Sequence, residues 1–363
     1  MNEADNAGNI EGPAEDLTSD RDPEQRLRER LAEVVRVLAL ADEAGRVAGP
    51  AAFRLLEEYR APFAEALTGF GEALADFLPL DSTYPTLFEH PAFSEQLRPL
   101  SDGLRSFPLF RRIQALIGNH QNDEEVERAV LLRGQPGFDL PGRLVQDFYR
   151  NTVTVRSFQS RAAALAERTR VEIRTRALSE GGPVRMLRLV CGSGVEPEAV
   201  MVDRVCAENL MVTCVDNSLV SLRRAGRVLE RRFTHKPRLL RADPLTLNSN
   251  PNRPRELFDI VYTLTLFVTL TASEALTLAR SCYGFLAPGG VLLTGSYAPD
   301  LPRSERALLA GLLGLQIGYR DEEDWLQLLR AARFDPDSTR LERPAPSTIL
   351  VGARRGAPVQ SQE

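Results

Sequence analysis

From Val184 onward, short apolar runs alternate with helical patterns, and this alternation constrains the fold of the 363-residue chain more than any other feature. Strands are expected at Val184–Val190, Met211–Val215, Arg238–Arg241, Phe258–Thr263 and Val291–Gly295. Helical stretches fall between them, near Glu196–Glu208, Leu219–Arg232 and Ser273–Leu286. Parallel strands need long crossover connections and helices supply them, so the pattern predicts an α/β sheet with helices on both faces. A further helix near Glu322–Ala332 and strand-like pieces at Ser338–Glu342 and Thr348–Ala353 predict an antiparallel hairpin on the sheet edge.

The first half has a different texture. Residues 1–21 are acidic and lack apolar periodicity, and are expected to form a disordered tail. Order is expected from Asp22, which can cap a helix carrying Pro23 at its first position. Leu27, Leu31, Val34 and Leu38 then recur at helical spacing, and a second helical pattern runs from Ala51 to Phe77. More helix is expected over Ala92–Ile117 and Asp123–Leu132, followed by a loop over Arg133–Gly142. One long helix is expected from Leu144 to Arg176, before Gly181 and Gly182. The chain thus divides into the tail, a helical region over 22–180, a sheet domain over 181–355 and a short disordered tail over 356–363. The helical region would serve as a lid, as part of a substrate pocket or as a homodimerisation surface.

Charge and composition exclude several classes. With 45 Lys and Arg against 50 Asp and Glu, the chain lacks the basic balance of a general nucleic-acid binder. Lys236 is the only lysine, which a GC-rich bacterial genome explains better than a demand for guanidinium. Cys191, Cys206, Cys214 and Cys282 have no paired or metal-like spacing, and the histidines are scattered, so no metal is expected. No apolar stretch reaches membrane-spanning length, so a cytoplasmic location and no stable membrane association follow.

The chemistry is concentrated at the strand ends. The first strand runs into Cys191-Gly192-Ser193-Gly194 before a helix, where glycines let the backbone turn sharply and approach a ligand. Asp216 closes the second strand, 22 residues after Gly194, where a carboxylate can accept the ribose hydroxyls of a nucleoside. Capping of the next helix is a compatible structural role. Pro197 stands where a dinucleotide fingerprint wants a third glycine, and no Gly-Lys-Ser/Thr follows the turn, which disfavours NAD and excludes a P-loop. Asp243 follows the third strand, at the height of an adenine amino group.

Taken in order with Phe258-Asp259-Ile260-Val261 and Pro288-Gly289-Gly290, these segments resemble the class I S-adenosylmethionine-dependent methyltransferases over nearly the whole second half. The resemblance implies a Rossmann-like seven-stranded sheet and S-adenosylmethionine as cofactor. It implies cofactor contacts from Cys191, Gly192, Ser193, Gly194, Asp216, Asn217, Asp243, Pro244 and Thr263.

A narrower set of segments is similar to the bacterial methyltransferases that make 3-hydroxypalmitate methyl ester. These are Phe258–Tyr262 with Leu266-Phe267, Gly295–Pro299, Gly318–Asp321, Arg133–Phe138 and Tyr149-Arg150-Asn151. The resemblance implies a small-molecule acceptor carrying a carboxylate, such as a hydroxy fatty acid. Arg133 and Arg320 are its candidates for gripping that carboxylate, with Tyr149, Tyr262 and Tyr319 as donors or pocket walls. The sequence departs from the family at Arg188, where an acid is usual, at Val190, where a small residue is usual, and at Asp139–Gly142, where Gly-Asp is expected. Methylation of a natural-product intermediate, or a catalytically inactive binding protein of this fold, therefore stay open.

Overall fold

The computed structural model describes residues 22–49, 54–78, 87, 90, 93, 95–98, 100, 139–191 and 203–356. Helix α1 (Pro23–Ala48) starts as expected, with the Asp22 carboxylate accepting the Glu24 amide. Leu27, Leu31, Val34 and Leu38 form its buried stripe. Helix α2 (Leu56–Phe77) packs beside it through Phe63, Leu67, Phe70 and Leu74.

The expected helix over Leu144–Arg176 is two helices, α3 (Leu140–Asn151) and α4 (Val153–Glu180). The start moves back to Leu140 because Asp139 accepts the Gly142 amide and Pro141 suits a first turn. The break at Thr152 has a local cause: its hydroxyl caps α4 by accepting the Val155 amide. Glu305, from a distant helix, accepts the Val153 and Thr154 amides, both at 2.8 Å. Helix α4 ends on Gly181 in the left-handed conformation, the usual solution for a helix C-terminus.

The sheet follows as β1 (Val184–Leu189), α5 (Arg204–Asn209), β2 (Leu210–Asp216), α6 (Leu219–Glu230), β3 (Arg238–Arg241), β4 (Phe258–Tyr262), α7 (Ala272–Phe285) and β5 (Leu286–Tyr297). Then come α8 (Arg303–Gly311), which sequence periodicity did not announce, α9 (Glu322–Ala331), β6 (Thr339–Glu342) and β7 (Thr348–Arg354). The order is β3-β2-β1-β4-β5-β7-β6, with β7 antiparallel to β5 and β6. This is the expected seven-stranded Rossmann-like sheet with its edge hairpin.

Period-two burial assigns the two faces. Leu187, Leu189, Val261 and Leu292 pack with α7 and α9 on one face. Met186, Cys214, Ile260 and Leu293 pack with α4 and α6 on the other. A third cluster joins α1, α2 and α3 to α8 and Tyr297, so the helices share one core with the C-terminal end of the sheet. Two glycines permit this close packing. A Cβ on Gly71 would lie 2.9 Å from the Ser304 carbonyl, and one on Gly311 would lie 2.8 Å from a Leu74 methyl. Each buried Leu or Phe across this seam contributes roughly 1.5–3 kcal/mol.

Candidate functional site

The chain steps outward from β1 to β2 and β3, then crosses to β4 on the other side of β1. Such a reversal opens a crevice beyond the C-terminal ends of the strands, where open α/β sheets bind ligands. Asp216 ends β2 at that level and is only 4% exposed. Its Oδ2 accepts the Cys191 amide at 2.8 Å, and its Oδ1 accepts the Ser218 amide at 2.7 Å. The carboxylate therefore braces the turn after β1 against the start of α6, while Ser218 caps that helix. Immediately before Cys191, Val190 holds φ at 59°, the left-handed region that a β-branched residue rarely enters.

The Cys191 thiol is fully buried, and burial together with the Cys214 thiol pushes its pKa up. That excludes it as a nucleophile and leaves its amide as the functional group. Gly192, Ser193 and Gly194 lie outside the described residues. At the neighbouring strand ends, the Asp216 carbonyl accepts the Ala242 amide and so fixes the end of β3 beside β2. Asp243 is exposed and closes a local turn by accepting the Leu245 amide, while Pro244 beneath it is buried. Asn217 is exposed and its carbonyl accepts from Arg241. Thr263, wholly buried after β4, turns its hydroxyl to the Leu266 amide.

At the C-terminal ends of β1, β4 and β5 the residues are aromatic and cationic. Arg188 and Tyr262 are register partners on β1 and β4, with the guanidinium carbon 5.8 Å from the ring centroid. Arg161, from α4, stacks 4.6 Å over the Tyr297 ring at the end of β5 and 5.4 Å from Phe158. Tyr149 and Tyr319 pack against the same cluster as Tyr297. Burial, and then the neighbouring Tyr297, push the Tyr149 phenol pKa upward. Burial does the same to Tyr319, against the opposing pull of Arg306 over its ring. Burial raises the Tyr297 pKa too, so the phenols of Tyr149, Tyr297 and Tyr319 stay protonated at neutral pH, where each can donate or accept a hydrogen bond or wall the site.

The arginines divide differently from the sequence expectation. Arg133 lies outside the described residues. Arg320 is turned onto the main chain, donating through Nη1 to the Phe267 carbonyl at 2.6 Å and through Nη2 to the Leu270 carbonyl at 2.7 Å. It is a backbone clamp in this arrangement, not a residue facing the crevice. Arg161 and Tyr297, which sequence reasoning did not select, sit where the tyrosines converge. A signal was present: Phe158, Arg161 and Leu165 follow helical spacing, which puts Arg161 on the buried stripe of α4. Among the described residues, no cluster of His, Cys, Asp and Glu could hold a metal.

No protein-family model matches the chain, and no curated protein matches it. Among solved structures, a possible exported protein from Bordetella parapertussis aligns over 95% of this chain and 100% of its own, at 18% identity and a TM-score of 0.51. The S-adenosylmethionine-dependent methyltransferase SibL aligns over 92% of this chain and 98% of its own, at 18% identity and a TM-score of 0.46. Magnesium protoporphyrin IX methyltransferase from Synechocystis, with S-adenosylhomocysteine bound, covers 68% of this chain at 13% identity and a TM-score of 0.44, over 100% of its own length. The first of these shares the fold across helices and sheet together. At such identity the likeness is one of fold.

Proposed function

We propose that the chain is an S-adenosylmethionine-dependent methyltransferase that methylates the carboxylate of a small molecule, such as a hydroxy fatty acid. The observation that carries this is Asp216: a buried carboxylate at the end of β2, held against the turn after β1 at the sheet's switch point. A carboxylate at this strand end suits a vicinal diol, and the exposed Asp243 one strand further suits an adenine amino group. When bound, S-adenosylmethionine would supply an electrophilic methyl group on a sulfonium. The remaining work falls to the protein. A carboxylate acceptor is already ionised at neutral pH, so no general base is required. Tyr149, Tyr262, Tyr297 and Tyr319 would wall the acceptor, exclude water and orient it by hydrogen bonds, which is catalysis by positioning.

The four cysteines are free and buried, which supports a reducing, cytoplasmic location. No described helix is long and apolar enough to cross a membrane. Calorimetry tests the reading directly. The purified protein is expected to bind S-adenosylhomocysteine, and Asp216→Ala is expected to weaken that binding roughly tenfold or more, as loss of a charged hydrogen-bond acceptor should. No binding at millimolar ligand would overturn the cofactor, and unchanged affinity in the variant would remove Asp216 from the site.

A further inference from the structure

Arg161 is completely buried, yet among the described residues its Nε, Nη1 and Nη2 meet no carboxylate or carbonyl acceptor and have only tyrosine phenols beside them. Among the described residues no carboxylate stands within ion-pair distance of it, in contrast to Arg176, which meets Glu172 at 2.8 Å. An arginine cannot shed its proton to escape this position, and a buried charge without a partner is costly. Stacking on Tyr297 and Phe158 offsets part of that cost. The room for the side chain is built in: a Cβ on Gly295 would lie 2.7 Å from the Arg161 Cδ. The Tyr297 phenol, which donates to the Thr154 carbonyl at 3.3 Å, and Tyr262 surround the guanidinium without neutralising it.

A cation kept in this way, with no carboxylate beside it among the described residues, is placed to receive an anion. We propose that Arg161 is the seat of a carboxylate carried by a bound ligand. The planar guanidinium fork matches a carboxylate's two oxygens, and one such group balances a single negative charge. Resting on the methyltransferase reading, the carboxylate has two sources, the methyl acceptor or the amino-acid end of the cofactor. The location, between α4 and the ends of β4 and β5, is at the same end of the sheet as Asp216 and suits both.

The test uses wild type, Arg161→Lys, Arg161→Gln and Arg161→Met. Each is titrated with S-adenosylhomocysteine, with methylthioadenosine, which lacks the amino-acid end, and with a long-chain 3-hydroxy fatty acid and its neutral amide. Wild type is expected to favour at least one carboxylate ligand over its uncharged counterpart by roughly tenfold or more. Arg161→Gln and Arg161→Met should abolish that margin, and Arg161→Lys should keep part of it. Loss of the acid-over-amide margin assigns the acceptor, and loss of the homocysteine margin assigns the cofactor. If wild type binds neither nucleoside, the methyltransferase reading fails, while the acid-over-amide margin still tests Arg161. Margins unchanged in the variants, or absent in wild type, overturn the proposal. Thermal melts separate a structural role. Without ligand, Arg161→Met should melt no lower than wild type; a lower melting temperature with intact ligand preference assigns Arg161 to the fold and also overturns it.

Discussion

Tyr297 touches two buried arginines that the protein treats in opposite ways. Its carbonyl accepts the Arg320 amide, and the Arg320 guanidinium is spent on the carbonyls of Phe267, Gly318 and Leu270. Its ring lies under Arg161, whose guanidinium meets no carbonyl or carboxylate acceptor among the described residues. Burial works against the charged form of both, lowering the pKa of each. Only at Arg320 do the surrounding dipoles replace the lost water. The difference separates a cation that holds the fold from one held ready by the fold. A buried charge with its donors satisfied is architecture; one left without an acceptor is an energetic cost that stability alone does not explain.

The largest effect should come from the satisfied side. Arg320→Ala frees the carbonyls of Phe267 and Leu270 inside the core and unties the segment between β4 and α7 from the end of β5. Several charged hydrogen bonds are lost together, so unfolding free energy should fall by about 3 kcal/mol. Urea denaturation reads this. A loss under about 1 kcal/mol would mean that the carbonyls find water, and the contrast with Arg161 would collapse.

The seam between the helical region and the sheet should respond less. The Glu305 carboxylate, on α8, accepts the amides of Val153 and Thr154 and the Thr154 hydroxyl at 2.7–2.8 Å, supplying the negative end that the start of α4 requires. Glu305→Ala should cost about 1–2 kcal/mol, the scale of a lost helix cap. It should also loosen the Thr154 end of α4, which carries Arg161 two turns on. Hydrogen exchange at residues 153–157 checks this; protection equal to wild type would show that Thr152 alone suffices as the cap.

The sheet was legible in the sequence because period-two and helical patterns each leave a strong signal. Val184–Leu189, Arg238–Arg241 and Phe258–Tyr262 were read almost to the residue. The break at Thr152 was not, because its decisive partner, Glu305, is remote in sequence and belongs to a helix that periodicity did not reveal. In the candidate site, the place of Asp216 at the end of β2 was readable from its spacing to the glycine-rich turn. Arg320 was misplaced because a motif records that an arginine is present, not whether its donors face a ligand or a carbonyl. Arg161 escaped notice for the converse reason: one arginine on a helix is ordinary until its burial and lack of acceptors are known.

The smallest effect belongs to Val190, and it extends the contrast from charge to backbone. Its φ of 59° costs a β-branched residue about 1–3 kcal/mol, and that strain sits beside the amide that Cys191 gives to Asp216. Glycine would relieve the strain but adds freedom to the unfolded chain worth about 0.5–1 kcal/mol. The net expectation for Val190→Gly is therefore a gain of about 1 kcal/mol in urea unfolding. Val190→Ala, which keeps most of the strain, should gain little. A fall in stability for Val190→Gly would show that its half-buried side chain matters more than its backbone. A gain accompanied by weaker binding of S-adenosylhomocysteine would show that the strain helps to hold the Cys191 turn against Asp216. The crevice would then keep an unrelieved backbone as well as an unpaired charge, both unfavourable to the empty fold and both favourable once a ligand is bound.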